Sequence, residues 1–522
     1  MLFSKNVKSS AHCLPSPDGR YIATLFPTLI NVRSVQSWEP IHAVRLPQDF
    51  IGPFLSFQWS PSSRLLLVAS FDQLRVFSAL DGNYHATIRN PVAPHLKPTY
   101  IDFGASDTEI CVMASFGLKL AVFDLNSSKA IEIGSPKFSS STAVRRGFSF
   151  RPQSNHLALL TRTAGKDMIS IHAFPSRELQ RSWAPDTIDA QGLLWSPDGR
   201  WLVVWESPAL GHKVVFYTPD GNLFKIWSGP VNPTHEEKDF ALGAGVKTVQ
   251  FSPDARLLAI SDHSRSLSIV DMASTMEVLR LQHPNNLVPK GTLQIWQERI
   301  GISHGPIMHT FIRASQAISP PPRPQEAAEQ LSGCATIAFD LSSNLIATRI
   351  EEFPSTVWIW DVQAAVLRAV LLFHGSVSTL SWHPHVRETL LIRCEGDHYN
   401  SVVFVWDPLS EGPQSVDFSQ QLSGFKAVGK WHASWLGLDA STPLSIFYSD
   451  TQNYVLASLA DSDRESLPWI NPRNPQGGNG PSRAESPLEL VPATEDEADE
   501  EDASQTGDDG DIVMKDTYGY KR

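Results

Sequence analysis

The sequence lacks most of the features that mark an enzyme, a membrane protein or a disulfide-stapled domain. Only four cysteines occur in 522 residues. Cys13, Cys111, Cys334 and Cys394 are far apart and form no CxxC pair, so the close-spaced ligands of structural zinc are missing. Four isolated thiols fit a reducing compartment, although spacing alone leaves a disulfide open. No stretch approaches the roughly 18 apolar residues of a membrane-crossing helix. The start, Met1-Leu2-Phe3-Ser4-Lys5, has no apolar signal-peptide core. A cytoplasmic protein without membrane contact is the expectation.

Catalytic signatures are also missing. There is no GxSxG elbow, no GxxxxGKS/T phosphate loop and no HExxH helix. The nearest Gly-rich loop, Leu242-Gly243-Ala244-Gly245, leads into an apolar strand rather than a helix, which argues against a dinucleotide. The densest polar cluster, His383, His385, Glu395, Asp397 and His398, is split between two turns, so a metal site is not expected. No catalytic residue, cofactor or metal is therefore assigned. The net charge of −12 is concentrated at the C-terminal end. Between Glu495 and Asp516 eleven carboxylates face one lysine, leaving the rest of the chain close to neutral. Near-neutrality argues against a nucleic-acid surface, which is usually basic.

What the chain does contain is tryptophan (15 residues), glycine (31) and proline (38), with 42% hydrophobic and 19% charged residues. That composition suits short strands joined by many turns. A repeat organises it. An anchor followed by a turn recurs at Pro15, Trp59, Phe103, Phe150, Trp195, Phe251, Phe339 and Trp382, with Trp431-His432-Ala433 as a weaker ninth member. The steps are 44, 44, 47, 45, 56, 88, 43 and 49 residues. The step of 88 is two periods, so either a degenerate unit or a long insertion lies between Phe251 and Phe339.

Each unit reads alike: an apolar strand ends at the anchor, a turn such as Ser196-Pro197-Asp198-Gly199 reverses the chain, and two more apolar strands follow. A period near 44 with Trp360-Asp361 and Trp406-Asp407 closing third strands resembles the WD40 blade. Phe123-Asp124 and Val270-Asp271 are variants, and the usual Gly-His is scrambled, as in His374-Gly375. The buried Asp–His–Ser–Trp network of regular blades is expected to be incomplete. The fold class is thus an all-β, WD40-type β-propeller over residues 1–461. One ring of eight or nine degenerate blades is favoured over two smaller rings, with the residues before Ser10 completing the last blade. A surface insertion spans about 284–332 and includes Ser319-Pro320-Pro321-Pro322-Arg323-Pro324, read as a loop or a docking segment. Residues 462–522 read as a disordered acidic tail.

Partners of such rings often dock where the turn between the second and third strands lies. Residues at or beside that turn are Phe71, Phe116, Trp205, Glu206, His263 and Arg349. Trp205 stands out because Ala69, Ser261 and Arg349 hold the same place in sibling strands. It is either a binding hot spot or a residue packed against the neighbouring blade, and Trp205-Glu206 also reads as a displaced Trp-Asp pair.

The order of units carries a closer resemblance. Phe3-Ser4, Ser16-Pro17-Asp18-Gly19-Arg20-Tyr21-Ile22-Ala23, Val204-Trp205-Glu206, Phe216-Tyr217-Thr218-Pro219-Asp220-Gly221, Gln282-His283-Pro284 and Leu345-Ile346-Ala347-Thr348-Arg349 are its markers. Together they resemble the centrosomal WD-repeat family whose vertebrate gene lies antisense to a tumour-suppressor relative. The resemblance implies a non-enzymatic scaffold at the centrosome or spindle pole body, within the cytoskeleton. Such a protein would act with a coiled-coil microtubule-anchoring partner, and in some lineages a minus-end-directed kinesin, to tether minus ends and support spindle assembly. The alternative reading is a ribosome- or RNA-associated propeller adaptor in translation.

Overall fold

Among the described residues nine sheets follow one another along the chain, antiparallel except for one parallel pair in the seventh, and the repeat units open one in each. The computed structural model describes residues 1–50, 52–82, 84–91, 98–113, 118–138, 140, 144–230, 244–301, 307–323, 332–422, 427–439, 442–460 and 467–469. Blades 1 to 4 open with Cys13–Pro15, Ser56–Trp59, Tyr100–Phe103 and Phe148–Phe150. Blades 5 to 9 open with Ala190–Trp195, Val246–Phe251, Cys334–Phe339, Ser376–Trp382 and His432–Trp435. In blade 5 the remaining strands are Leu202–Glu206, Val214–Tyr217 and Leu223–Trp227. The second and third are buried throughout, while the fourth starts with two exposed residues at the rim.

The apolar core is divided among the blade interfaces. One cluster joins blades 1 and 2 through Ala23, Val32, Phe57 and Leu66, and another joins blades 5 and 6 through Val203, Phe216, Phe251 and Leu258. The series continues to blades 8 and 9 and then returns to blade 1, where Cys13 and Ile22 pack with Leu436, Phe447 and Leu456. That last cluster closes the circle, so the structure is one ring of nine blades. Strand Leu2–Phe3 pairs antiparallel with Asn453–Ser458, Phe3 facing Ala457, and supplies the outer strand of blade 9. The first residues thus complete the last blade as expected, and the edge of Asn453–Ser458 is covered.

The turn chemistry explains the repeat. In blade 1, Ser16 Oγ donates to Asp18 Oδ1 at 2.6 Å and accepts the Tyr21 N–H at 3.0 Å. Gly19 takes φ 69° there, with its N–H on the Ser16 carbonyl. Ser196, Asp198 and Gly199 repeat the arrangement in blade 5. The Asp that closes a third strand acts differently. Asp124, Asp271 and Asp407 accept N–H groups of the turn that follows them. Three anchor tryptophans stitch neighbours together. The indoles of Trp59, Trp382 and Trp435 donate to the carbonyls of Leu14, Ala338 and Ser381 in the preceding blade. Trp435, not Trp431, is therefore the ninth anchor, paired with Ile446 as Trp382 is with Leu390. The sequence points to Trp431 because both tryptophans flank the same short strand.

The long step before Phe339 is an insertion, and it is more ordered than a loop. Strands Gln294–Gly301 and Met308–Arg313 form a hairpin added to the outside of blade 7, with Gln294–Gln297 running parallel to Ala369–Leu372. One hairpin face, with Trp296 and Phe311, packs into the cluster shared by blades 7 and 8. The proline run is described only through Arg323. Trp469, placed by sequence in the tail, is buried in the blade 9–blade 1 cluster and lies 6.3 Å from the Trp38 ring. The acidic segment from Glu495 lies outside the described residues.

Candidate interaction surface

Because the strands of a blade alternate in direction, the loop entering its first strand and the turn after its second lie at the same end of the sheet. That end carries a series of buried carboxylates that accept backbone N–H groups. Glu206, 1% exposed, accepts from Ile188 and Asp189 at 2.7 Å each and from Ser207 at 3.1 Å. Asp450 does the same in blade 9 for Gln452 and Asn453 at 2.7 Å and Val428 at 3.0 Å. Lys137 Nζ sits between Asp167 at 2.6 Å and Asp189 at 2.8 Å, tying the loop into blade 4 to the one into blade 5. Lys137 holds the Asp189 carboxyl below its ordinary range. Buried ionic groups paired in this way hold the loops in place rather than offering free charge.

The residues singled out from sequence fall into two groups. Trp205 is buried in the cluster between blades 5 and 6, which is the packing alternative, and a strand bulge between Ala190 and Gly192 accommodates it. A Cβ on Gly192 would stand 2.2 Å from the indole. Glu206 caps the adjoining loop and is equally inaccessible. His263, Arg349 and Phe71 are half-buried. Burial, and then Lys247, keeps the His263 imidazole below its ordinary value. Glu206, His263 and Arg349 lie on consecutive blades 5, 6 and 7, whereas Phe71 belongs to blade 2. Phe116 lies outside the described residues. Sequence reasoning missed two neighbours of Glu206: Ile188 is 74% exposed and Leu210 47% exposed. The signal was the extra length of the turn Ser207-Pro208-Ala209-Leu210-Gly211 relative to its siblings.

The hydrogen-bond network of regular blades survives in part. In blade 7 the Thr348 hydroxyl lies 2.8 Å from His283 Nε2 and accepts Trp360 Nε1–H at 3.0 Å. His283 Nδ1 faces the Arg265 carbonyl at 2.7 Å, which makes that nitrogen the donor and leaves Nε2 to accept from Thr348. A main-chain oxygen thus stands where an Asp would be. Burial drives the His283 pKa down to about 4, which keeps the ring neutral. In blade 8 Ile392 occupies the Thr348 position, and among the described residues Trp406 Nε1 has no partner. The insertion supplies a substitute there: Glu298 accepts from His309 Nδ1 at 2.7 Å, Tyr399 OH at 2.6 Å and the His374 N–H at 2.7 Å. Burial alone would raise the Glu298 carboxyl, but these hydrogen bonds leave it below its ordinary value. His383 and His385 stand at the opposite end of blade 8 from Glu395, Asp397 and His398, so that polar cluster does not converge.

All four cysteines are buried and free. No helix among the described residues is long and apolar enough to cross a membrane. Comparison with known proteins agrees with the architecture. The chain is 25% identical over 504 residues to the WD repeat-containing protein WRAP73 of Mus musculus, covering 90% of this chain and all of the mouse protein. By its fold the chain is an all-β propeller of the WD40 type. It is also 24% identical over 396 residues to an uncharacterised WD repeat-containing protein of Schizosaccharomyces pombe, covering 74% of this chain and 76% of that one. No family model matches. A crystal structure of a eukaryotic initiation factor superposes with a TM-score of 0.48 at 10% identity, covering 79% of this chain and 88% of that one, and nothing about function rests on it.

Proposed function

We propose that this propeller is a non-enzymatic scaffold at the centrosome or spindle pole body, where it tethers microtubule minus ends and supports spindle assembly through protein–protein contacts. The observation that carries the reading is the similarity spanning the whole length of the mouse WD-repeat protein. The sequence markers that resemble the centrosomal WD-repeat family support it. The partner in this reading is a coiled-coil microtubule-anchoring protein, with a minus-end-directed kinesin as a further member. Its docking place is the arc over blades 5 and 6, where Ile188 and Leu210 stand exposed above a loop fixed by Glu206. Exposed apolar side chains beside a rigid polar frame suit a binding surface. Tagging the protein in dividing cells and purifying it with its partners tests this. Spindle-pole foci and recovery of a coiled-coil protein are expected, with recovery reduced by Ile188→Asp combined with Leu210→Asp. Diffuse signal and no such partner would refute it.

A further inference from the structure

A cavity of about 670 Å³ opens where blades 8, 9 and 1 meet, away from the arc over blades 5 and 6. Its size falls within the range of ligand sites, roughly 300–1,000 Å³. Its walls bring together Arg393, Lys430, His12, His432, Trp431 and Asp450.

Arg393 is positioned rather than loose. The first strand of blade 8 bulges between Val377 and Thr379, which turns the Ser378 hydroxyl toward Arg393. That hydroxyl accepts Arg393 Nε–H at 3.2 Å and donates to the Arg393 carbonyl at 3.1 Å. The guanidinium lies 4.9 Å over the Trp431 ring. Trp431 is itself stacked on Tyr448, and Tyr448 on Phe418, so the platform beneath the cation is rigid. Among the described residues no acceptor meets the two terminal nitrogens of Arg393, and neither Arg393 nor Lys430 has a carboxylate partner. The one carboxylate in the wall, Asp450, is committed to the N–H groups of Gln452, Asn453 and Val428. Burial, aided in His432 by Arg393 and Lys430, keeps both imidazoles below their ordinary value, so they serve near neutral pH as hydrogen-bonding groups. A pre-oriented guanidinium fork with free donors, a second cation and neutral imidazoles is the chemistry that receives an oxyanion.

We propose that this cavity is a receptor for one anionic side chain, carboxylate or phosphate, presented by a partner polypeptide. A nucleic acid is disfavoured because its binding needs an extended basic track, and here two cations stand in a ring that is close to neutral. The inference goes beyond the spindle-pole reading and does not depend on it.

Three labelled peptides, identical except for a central phosphoserine, glutamate or serine, test it by fluorescence anisotropy on the full-length protein. The phosphoserine or glutamate peptide should bind, and more weakly in about 300 mM salt than in about 50 mM. A preference for phosphoserine assigns the anion to phosphate; equal binding of glutamate assigns it to any carboxylate-bearing segment. Arg393→Gln should weaken binding about tenfold or more, and Arg393→Lys and Lys430→Gln by less. Thermal melting shows whether each variant is folded. The proposal is overturned if the wild-type protein binds none of the three at millimolar concentration or binds the serine peptide equally. It is also overturned if folded Arg393→Gln and Lys430→Gln variants bind as the wild type does, or if single-stranded RNA displaces the anionic peptides from this site.

Discussion

The seam between blades 3 and 4 should depend on one buried ion pair. Arg177, in the turn between the third and fourth strands of blade 4, reaches Glu109 of blade 3 with Nε to Oε1 at 2.5 Å and Nη2 to Oε2 at 2.6 Å. The two side chains are 1% and 4% exposed. The guanidinium also donates to the Asn155 carbonyl at 2.7 Å and lies over the rings of Phe150 and Phe174. Glu109 additionally accepts the Ala105 N–H at 3.0 Å. Arg177→Met leaves a carboxylate buried without its counter-charge, and Glu109→Gln leaves a buried guanidinium. Each should cost about 3–5 kcal/mol, because the desolvation already incurred is no longer offset by attraction. With unfolding entropies of about 2 cal/mol/K per residue, a ring of roughly 460 residues melting as a unit loses about 3–5 °C. The double variant Arg177→Met with Glu109→Gln has no uncompensated charge and keeps an acceptor for Ala105. It should recover about 2 kcal/mol or more relative to the sum of the singles. Calorimetry and urea unfolding on all four proteins measure this coupling. Singles that cost under about 1 kcal/mol, or a double variant equal to their sum, would refute the clamp.

Two further outcomes follow from the packing. Gly192→Ala should destabilise by more than about 2 kcal/mol, since its Cβ would stand 2.2 Å from the Trp205 indole. Adding Trp205→Leu should restore part of that loss, which a hot spot outside the core would not allow; denaturant midpoints of the three variants decide. The neutral, buried His283, with a folded pKa near 4 against an ordinary 6.5, makes stability sensitive to mild acid. The unfolded chain gains a proton that the folded one refuses, so this contribution is complete above about pH 6.5 and declines as pH falls toward 4. It amounts to about 3 kcal/mol at most. Urea midpoints measured from pH 7 to 4 should fall across that window, and a His283→Gln variant should show a visibly shallower fall. Equal slopes in the two proteins would remove His283 as the cause.

The repeat is legible in the sequence because its physics is local. The Ser-Pro-Asp-Gly turns, the apolar third strands and the terminal Asp each act within a few residues, and each is found where the spacing places it. The closing strand at Leu2–Phe3 is legible for a different reason, since a ring of four-stranded sheets leaves one strand short at its end. The insertion reads only as an interruption because its hairpin pairs with a strand more than 60 residues away and its inward face is spread over alternate positions. Trp205 and Glu206 can be located from sequence but not weighed. A strand-end aromatic looks the same in sequence whether it faces solvent or the next blade, and the bulge at Gly192 that decides the matter leaves no mark there. Arg393 carries no repeat signature at all; its setting arises from three strands and a loop of two blades.

Degenerate Trp-Asp units still form a closed ring because fastening lost from one blade is supplied from elsewhere in the chain. A regular blade ties its entering loop to its second and third strands through a His, a hydroxyl and a Trp, and blade 7 keeps those three. Blade 8 keeps its tryptophan but has Ile392 where the hydroxyl would be, and among the described residues the indole N–H finds no partner. Its entering loop at His374-Gly375 is held instead from both sides, the His374 N–H by Glu298 and the Gly375 N–H by the Tyr399 hydroxyl. His309 joins the same frame, with Nδ1 on the Glu298 carboxylate at 2.7 Å and Nε2 facing the His398 carbonyl at 3.1 Å. A hairpin inserted before blade 7 thereby performs for blade 8 the fastening that the repeat itself no longer encodes. The insertion thus belongs to the stability of the ring, and its exposed face, with Met308 and Ile312, is left free for other uses.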